Sequence, residues 1–178
     1  KDSQEICFVP DNDYAGFIEK STGTKISGGN YIKKDGTVIG EHKGIIHYTI
    51  GQRKGLNLSM GHPVFVTEIR PETNEVVIGE NEELFVRSLI CDRMNYMAME
   101  EINEGEVLTG KIRYNHPGAP CTLKKLEDGR VQVNFLEPQR AVTPGQAVVL
   151  YRGEYVAGGG IILGPVREKE NAAALSEF

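Results

Sequence analysis

The apolar positions of this chain follow two periods, and they divide it unevenly. Helical spacing appears only between Asp11 and Lys20, where Tyr14, Phe17 and Ile18 fall on one side of "YAGFIEK" behind Asp11 or Asp13 as N-cap. From Ser21 onward, β-branched and aromatic residues alternate with polar ones between glycine-rich turns. "YIKKDGTVIG" predicts a hairpin around Asp35-Gly36, and "PVFVTEIRPETNEVVIG" predicts two strands joined by a polar turn with Pro71 and Asn74. A strand is expected from His47 to Ile50, ahead of a glycine-flanked loop. "GKIRYNHPGAPCTLKKLEDGRVQVNF" gives a strand, a Pro/Gly loop, a strand, an Asp128-Gly129 turn and another strand. "AVTPGQAVVLYRGEYVAGGGIIL" adds two strands around Arg152-Gly153, apolar enough to be buried on one face or both. The fold class is therefore mainly β. The character changes near "GENEELFVRS", which divides the chain into a β-rich module with one short helix (1–84), a compact barrel (85–164) and a tail (165–178).

Composition narrows the class without changing this picture. Hydrophobic residues at 39% and charged residues at 25% suit a globular protein. No apolar run approaches the roughly 18 residues of a membrane helix, so no membrane partner is expected and a soluble, cytoplasmic protein is the default. A net charge of -5 argues against a surface that attracts nucleic acid everywhere, and it leaves room for a local basic face. Cys7, Cys91 and Cys121 are too few and too widely spaced for a disulfide framework or a CxxC site. His42 and His47 match no common zinc spacing, so no metal site is expected.

Three stretches carry candidate chemistry. Cys7 sits in the apolar "EICFVP", where it reads either as a small buried hydrophobe or as an accessible thiolate near Lys1 and the N-terminus of the following helix. In "GEHKGIIHYTIGQRKGL", Gln52, Arg53 and Lys54 form a loop whose cations are either simply solvated or clamp a phosphate backbone. "KIRYNHPG" interleaves Lys111 and Arg113 with Tyr114 and His116, as an edge strand with outward charges or as groups that neutralise phosphate and stack on a base. "GGGIILG" lacks the third glycine of GxGxxG, and no GxxxxGK[ST] occurs, so no nucleotide-binding loop is expected in this chain.

Taken together, "KDSQEICFVPDNDYAGFIEK", "GEHKGIIHYTIGQRKGL", "PVFVTEIRPETNEVVIG" and "AVTPGQAVVLYRGEYVAGGGII" resemble the carboxy-terminal half of bacterial tRNA-specific 2-thiouridylases. That resemblance implies a small β-rich central domain followed by a β-barrel like those of translation elongation factors. It implies an enzyme that replaces the C2 oxygen of the wobble uridine with sulfur in tRNAs for Lys, Glu and Gln. It makes Cys7 the persulfide-bearing cysteine, which a partner thiol in an amino-terminal domain would resolve as a disulfide. Arg113, Tyr114 and Gln146 become contacts to tRNA, with Gln52, Arg53 and Lys54 as a second candidate set. No cofactor is expected in this chain. ATP with Mg2+ is expected in the full-length enzyme, as is a sulfur-donor partner such as a cysteine desulfurase or sulfur relay protein. The chain is thus expected to be a fragment lacking the ATP-loop domain and inactive alone. Two other readings are a tRNA-binding β-barrel module without catalysis, and a β-barrel interaction protein that the acidic balance would suit.

Overall fold

A computed structural model describes residues 13–23, 27–98 and 100–167, and these divide into two compact units, one through Glu80 and one from Asn81. Cys7 and the tail beyond Arg167 lie outside the described residues.

In the first unit, helix α1 (Tyr14–Thr22) starts where Asp13 accepts a hydrogen bond from the Gly16 N–H at 3.0 Å. It ends where Gly23, in the left-handed region at φ 68°, donates to the Glu19 carbonyl. Strands β1 (Gly29–Ile32), β2 (Val38–His42), β3 (Phe65–Arg70) and β4 (Glu75–Gly79) form a sheet in the order β2-β1-β4-β3. The β1–β4 pair is parallel and the other two are antiparallel. The Asp35-Gly36 turn forms as expected, with Asp35 accepting from the Thr37 N–H at 2.9 Å. Strict alternation fails in β3, where a register shift between Val66 and Glu68 turns Thr67 inward and its hydroxyl to the Val77 carbonyl. Tyr31, Tyr48, Leu56, Val64, Val66, Val76 and Ile78 make the core of this unit.

The strand expected at His47–Ile50 is not there. Gly44, at φ 124°, turns the chain into a 3-10 helix over Ile45–His47, and a turn closed by the Gln52 N–H on the Thr49 carbonyl follows at 2.9 Å. A left-handed glycine right after β2 stops any continued pleat.

The second unit is a closed barrel. Strands β5 (Phe85–Tyr96), β6 (Leu108–Lys111), β7 (Ala119–Lys125), β8 (Val131–Arg140), β9 (Ala147–Arg152) and β10 (Tyr155–Val166) run β10-β5-β8-β7-β6-β9, with β9 closing on β10. Alternate residues fill its interior: Cys121 and Leu123, Val131, Val133 and Phe135, Val148 and Leu150. Closure leaves no sheet edge, so the apolar periods found in the sequence become one continuous core. Gly110 is small because a Cβ there would meet Cys121 Sγ at 2.9 Å and the Phe135 ring at 3.0 Å. The barrel's last strand runs through Val166, past the boundary expected at Gly164. Pro165 is tolerated because β9 pairs only as far as Ile161, leaving β5 as the neighbour of β10 there. The observed class is mainly β with one α-helix among the described residues, a four-stranded mixed sheet and a six-stranded closed barrel.

Candidate nucleic-acid interface

The barrel brings Arg113, Tyr114 and Gln146 to one end. β6 pairs with β9 so that Lys111 lies opposite Val149, which sets the turn leaving β6 beside the turn entering β9. That second turn is Thr143-Pro144-Gly145-Gln146, closed by the Gln146 N–H on the Thr143 carbonyl at 3.3 Å with Gly145 at φ 82°. The Gln146 carbonyl accepts from the Ile162 N–H at 2.8 Å, so the backbone is fixed while the side chain is exposed.

The Arg113 turn is fastened at two points. Arg113 Nη1 donates to the Arg140 carbonyl at 2.9 Å, and the His116 N–H donates to the Arg113 carbonyl at 3.1 Å. His116 is buried, and its Nδ1 accepts from the Gly118 N–H at 3.3 Å. Nδ1 is therefore the bare nitrogen, and Nε2–H donates to Gln139 Oε1 at 2.8 Å. Gln139 in turn donates through Nε2 to the Glu137 carbonyl at 2.7 Å. These bonds hold the turn so that Tyr114 stands 83% exposed. A guanidinium has five donors, and one bond to a neutral carbonyl orients Arg113 without cancelling its charge. His116, which sequence reasoning paired with Arg113 as a surface group, is instead the pin beneath it. Its one sequence signal is the glycine two residues on.

The other basic candidates lie on the first unit. Arg53 and Lys54 are exposed, and Gln52 is built into the loop. Its Oε1 accepts from the Thr49 N–H at 3.0 Å and its Nε2 donates to the Lys54 carbonyl at 3.0 Å. Gln52 thus shapes the loop that presents the two cations. His42, nearby in sequence, is buried with both ring nitrogens engaged, by the Gly44 N–H at 3.0 Å and the Asn74 carbonyl at 3.2 Å. Burial pulls the His42 imidazole below the ordinary histidine value; it also lowers His47, to which the charge of Lys43 adds. Among the described residues, no three His, Cys, Asp or Glu side chains gather as a metal site.

Cys91 and Cys121 are free, fully buried in barrel strands, and burial pushes both thiols up to about 12. Neither is a thiolate at neutral pH. The run Gly158–Gly160 lies inside β10, where added Cβ atoms would come within 2.6 to 2.7 Å of the carbonyl oxygens of Asn95, Val148 and Asp92. These glycines permit close strand contact and do not cradle phosphate. No described helix is long and apolar enough to cross a membrane.

The far end of the barrel differs in charge. The loop after β5 carries Glu100, Glu101, Glu104 and Glu106, and Arg152 there is already paired with Glu106 through two nitrogens while Nη1 holds the Ala98 carbonyl.

Comparison with known proteins gives one domain match in each of the two units. Residues 15–80 match the tRNA methyl transferase PRC-barrel domain, and residues 86–162 match the Aminomethyltransferase beta-barrel domain. The chain is 59% identical to a tRNA-specific 2-thiouridylase MnmA from Lachnoclostridium phytofermentans, over 91% of this chain and 45% of the relative. It is 51% identical to one from Carboxydothermus hydrogenoformans, over 90% and 44%, and 48% identical to one from Clostridium perfringens, over 91% and 45%. The chain thus spans about half the length of the relatives it matches. Both domain matches and this identity over nine-tenths of its residues make the chain similar to one part of the tRNA-specific 2-thiouridylases.

Proposed function

We propose that this chain is the tRNA-holding part of a tRNA-uridine 2-sulfurtransferase, with Arg113, Tyr114 and Gln146 contacting the tRNA and Cys7 carrying the sulfur as a persulfide. The observation that carries the reading is the assembly of an oriented guanidinium, an exposed ring and an exposed amide at one barrel end, opposite an acidic end. An RNA backbone is drawn to the first and repelled by the second. Tyr114 offers a flat face to a base, and Arg113 fixes position without reading sequence. Of the three cysteines, Cys91 and Cys121 are sealed in the barrel, which favours Cys7 as the sulfur carrier.

The glycine run of β10 is packed against neighbouring strands, which supports assigning ATP with Mg2+ to another part of the full-length protein, where it would activate the uridine oxygen as a leaving group. A cysteine desulfurase or sulfur relay protein would load the sulfur, and the tRNAs for Lys, Glu and Gln would be the substrates. The work would take place in the cytoplasm.

The test is tRNA binding by full-length variants across a salt series. Arg113→Ala is expected to weaken all cognate tRNAs alike and to lower the salt slope by about one contact. Tyr114→Ala is expected to cost on the order of 1–3 kcal/mol and Gln146→Ala less than Arg113→Ala. Wild-type binding by all three would overturn the reading and favour the Arg53-Lys54 loop. For the chemistry, Cys7→Ser is expected to abolish thiolation while tRNA affinity stays within about threefold, since a hydroxyl holds no sulfane sulfur. Residual 2-thiouridine would place the sulfur elsewhere.

A further inference from the structure

Most arginines with described ion pairs are neutralised by a carboxylate: Arg70 by Glu68 and Glu75, Arg93 by Asp92, Arg130 by Asp128 and Arg152 by Glu106. On the barrel, Arg140 is held by the Asn81 side-chain oxygen, and two others are held by backbone carbonyls of β8. Arg113 donates to the Arg140 carbonyl, and Arg87 donates through Nη1 to the Leu136 carbonyl. Both acceptors belong to β8, four residues apart and so at most about 13 Å along an extended strand.

The strand is shaped to allow this. In the β5–β8 ladder, Val86 lies opposite Gln139 and Ser88 opposite Asn134, so Arg87 alone faces Phe135, Leu136, Glu137 and Pro138. Phe135 keeps its place in the core, and the remainder forms a bulge on which Leu136 is 51% exposed. Pro138, which has no N–H for a ladder bond, suits this position. The bulge is wired to the Arg113 turn, because Gln139 bonds the Glu137 carbonyl on one side and His116 on the other. Arg87, from β5, and Arg113, from the turn after β6, thus converge on the end of β8, each oriented by a carbonyl that leaves its positive charge in place. Phe85, 43% exposed at the start of β5, adds apolar surface at the same end.

We propose that Arg87 is a second RNA-backbone contact, binding a phosphate of the same tRNA that Arg113 holds and setting the direction in which the strand crosses the barrel end. This rests on the reading that Arg113 meets tRNA. Glu137, exposed on the bulge, is the like-charged group against which this contact forms.

The test uses the full-length protein and unmodified cognate tRNA over a salt series, with thermal melting of each variant. Arg87→Ala is expected to weaken binding about three- to tenfold at moderate salt and to lower the salt slope by about 0.7 to 0.9, the value of one phosphate. Arg87→Lys should restore most of the slope, and Glu137→Gln should tighten binding up to about threefold. If Arg113→Ala weakens binding while Arg87→Ala leaves affinity and slope unchanged, this inference fails and the proposed function stands. If neither variant changes the slope, this inference fails together with the assignment of Arg113 to the RNA backbone. Weaker binding by Arg87→Ala at unchanged slope, with a lower melting temperature, would mean that Arg87 merely braces the bulge, and would overturn the proposal.

Discussion

His42 in the mixed sheet and His116 in the barrel make the same pair of bonds. Each accepts at Nδ1 from the N–H of a left-handed glycine two residues on, Gly44 or Gly118, and each directs Nε2 to an oxygen far along the chain. What surrounds them differs. His42 packs against Tyr31 and Tyr48, with every ring centroid in that trio 5.4 Å from the next, and its second partner is a backbone carbonyl on the β3–β4 turn. His116 is joined to a side-chain amide, itself bonded to the β8 bulge. The same H-x-G unit therefore locks a core in one case and steadies a surface turn in the other. The nature of the second partner decides which, since a fixed carbonyl cannot move to relieve a lost bond and an amide side chain can.

Truncation separates the two roles most strongly. His42→Ala leaves the Gly44 N–H and the Asn74 carbonyl without their partner and opens a gap beside two tyrosines, so a loss of about 2–4 kcal/mol is expected in chemical denaturation. His116→Ala is expected to cost about 1–2 kcal/mol, because Gln139 can turn to another partner, and yet to weaken tRNA binding more than its stability loss explains. Equal stability losses with unchanged tRNA binding would erase the distinction.

Acid is a gentler probe of the first unit. The His42 value is lowered in the fold, so the unfolded chain takes up the proton first. Stability from keeping this ring neutral is complete above the ordinary value of 6.5 and is lost as pH falls below it towards the folded value; His47 adds in the same direction. The melting temperature is therefore expected to fall between pH 7 and 5, and to fall less in a His42→Gln variant. A variant that loses as much as wild type would assign the effect to other groups.

Much of the architecture was legible because period-two alternation survives wherever a strand has one buried face. β7, β8 and β9 show it directly, from Cys121 and Leu123 to Val148 and Leu150. The His47–Ile50 stretch misled because "HYTI" has strand-like residues while the preceding Gly44 fixes a turn, and side-chain type carries no record of φ. In the site, Arg113, Tyr114 and Gln146 were legible as residue types suited to RNA. The parts that hold them were not. His116 meets Gln139 across 23 positions and Arg87 meets Leu136 across 49, and nothing local in "VQVNFLEPQR" marks the bulge except Pro138. Gln52 read as a ligand-facing amide because its partners, Thr49 and Lys54, are backbone groups that every sequence has.

If RNA meets one end of the barrel and not the other, the two most exposed tyrosines among the described residues mark those ends: Tyr114 at 83% beyond β6 and Tyr155 at 74% where β10 begins. A photoreactive benzophenone amino acid placed at position 114 or at position 155 of the full-length protein, irradiated with cognate tRNA, compares them directly. Efficient crosslinking from position 114, competed by unlabelled tRNA and absent from position 155, is the predicted result. Equal yields from both positions, or crosslinking from position 155 alone, would mean that RNA does not select the Arg113 end of the barrel.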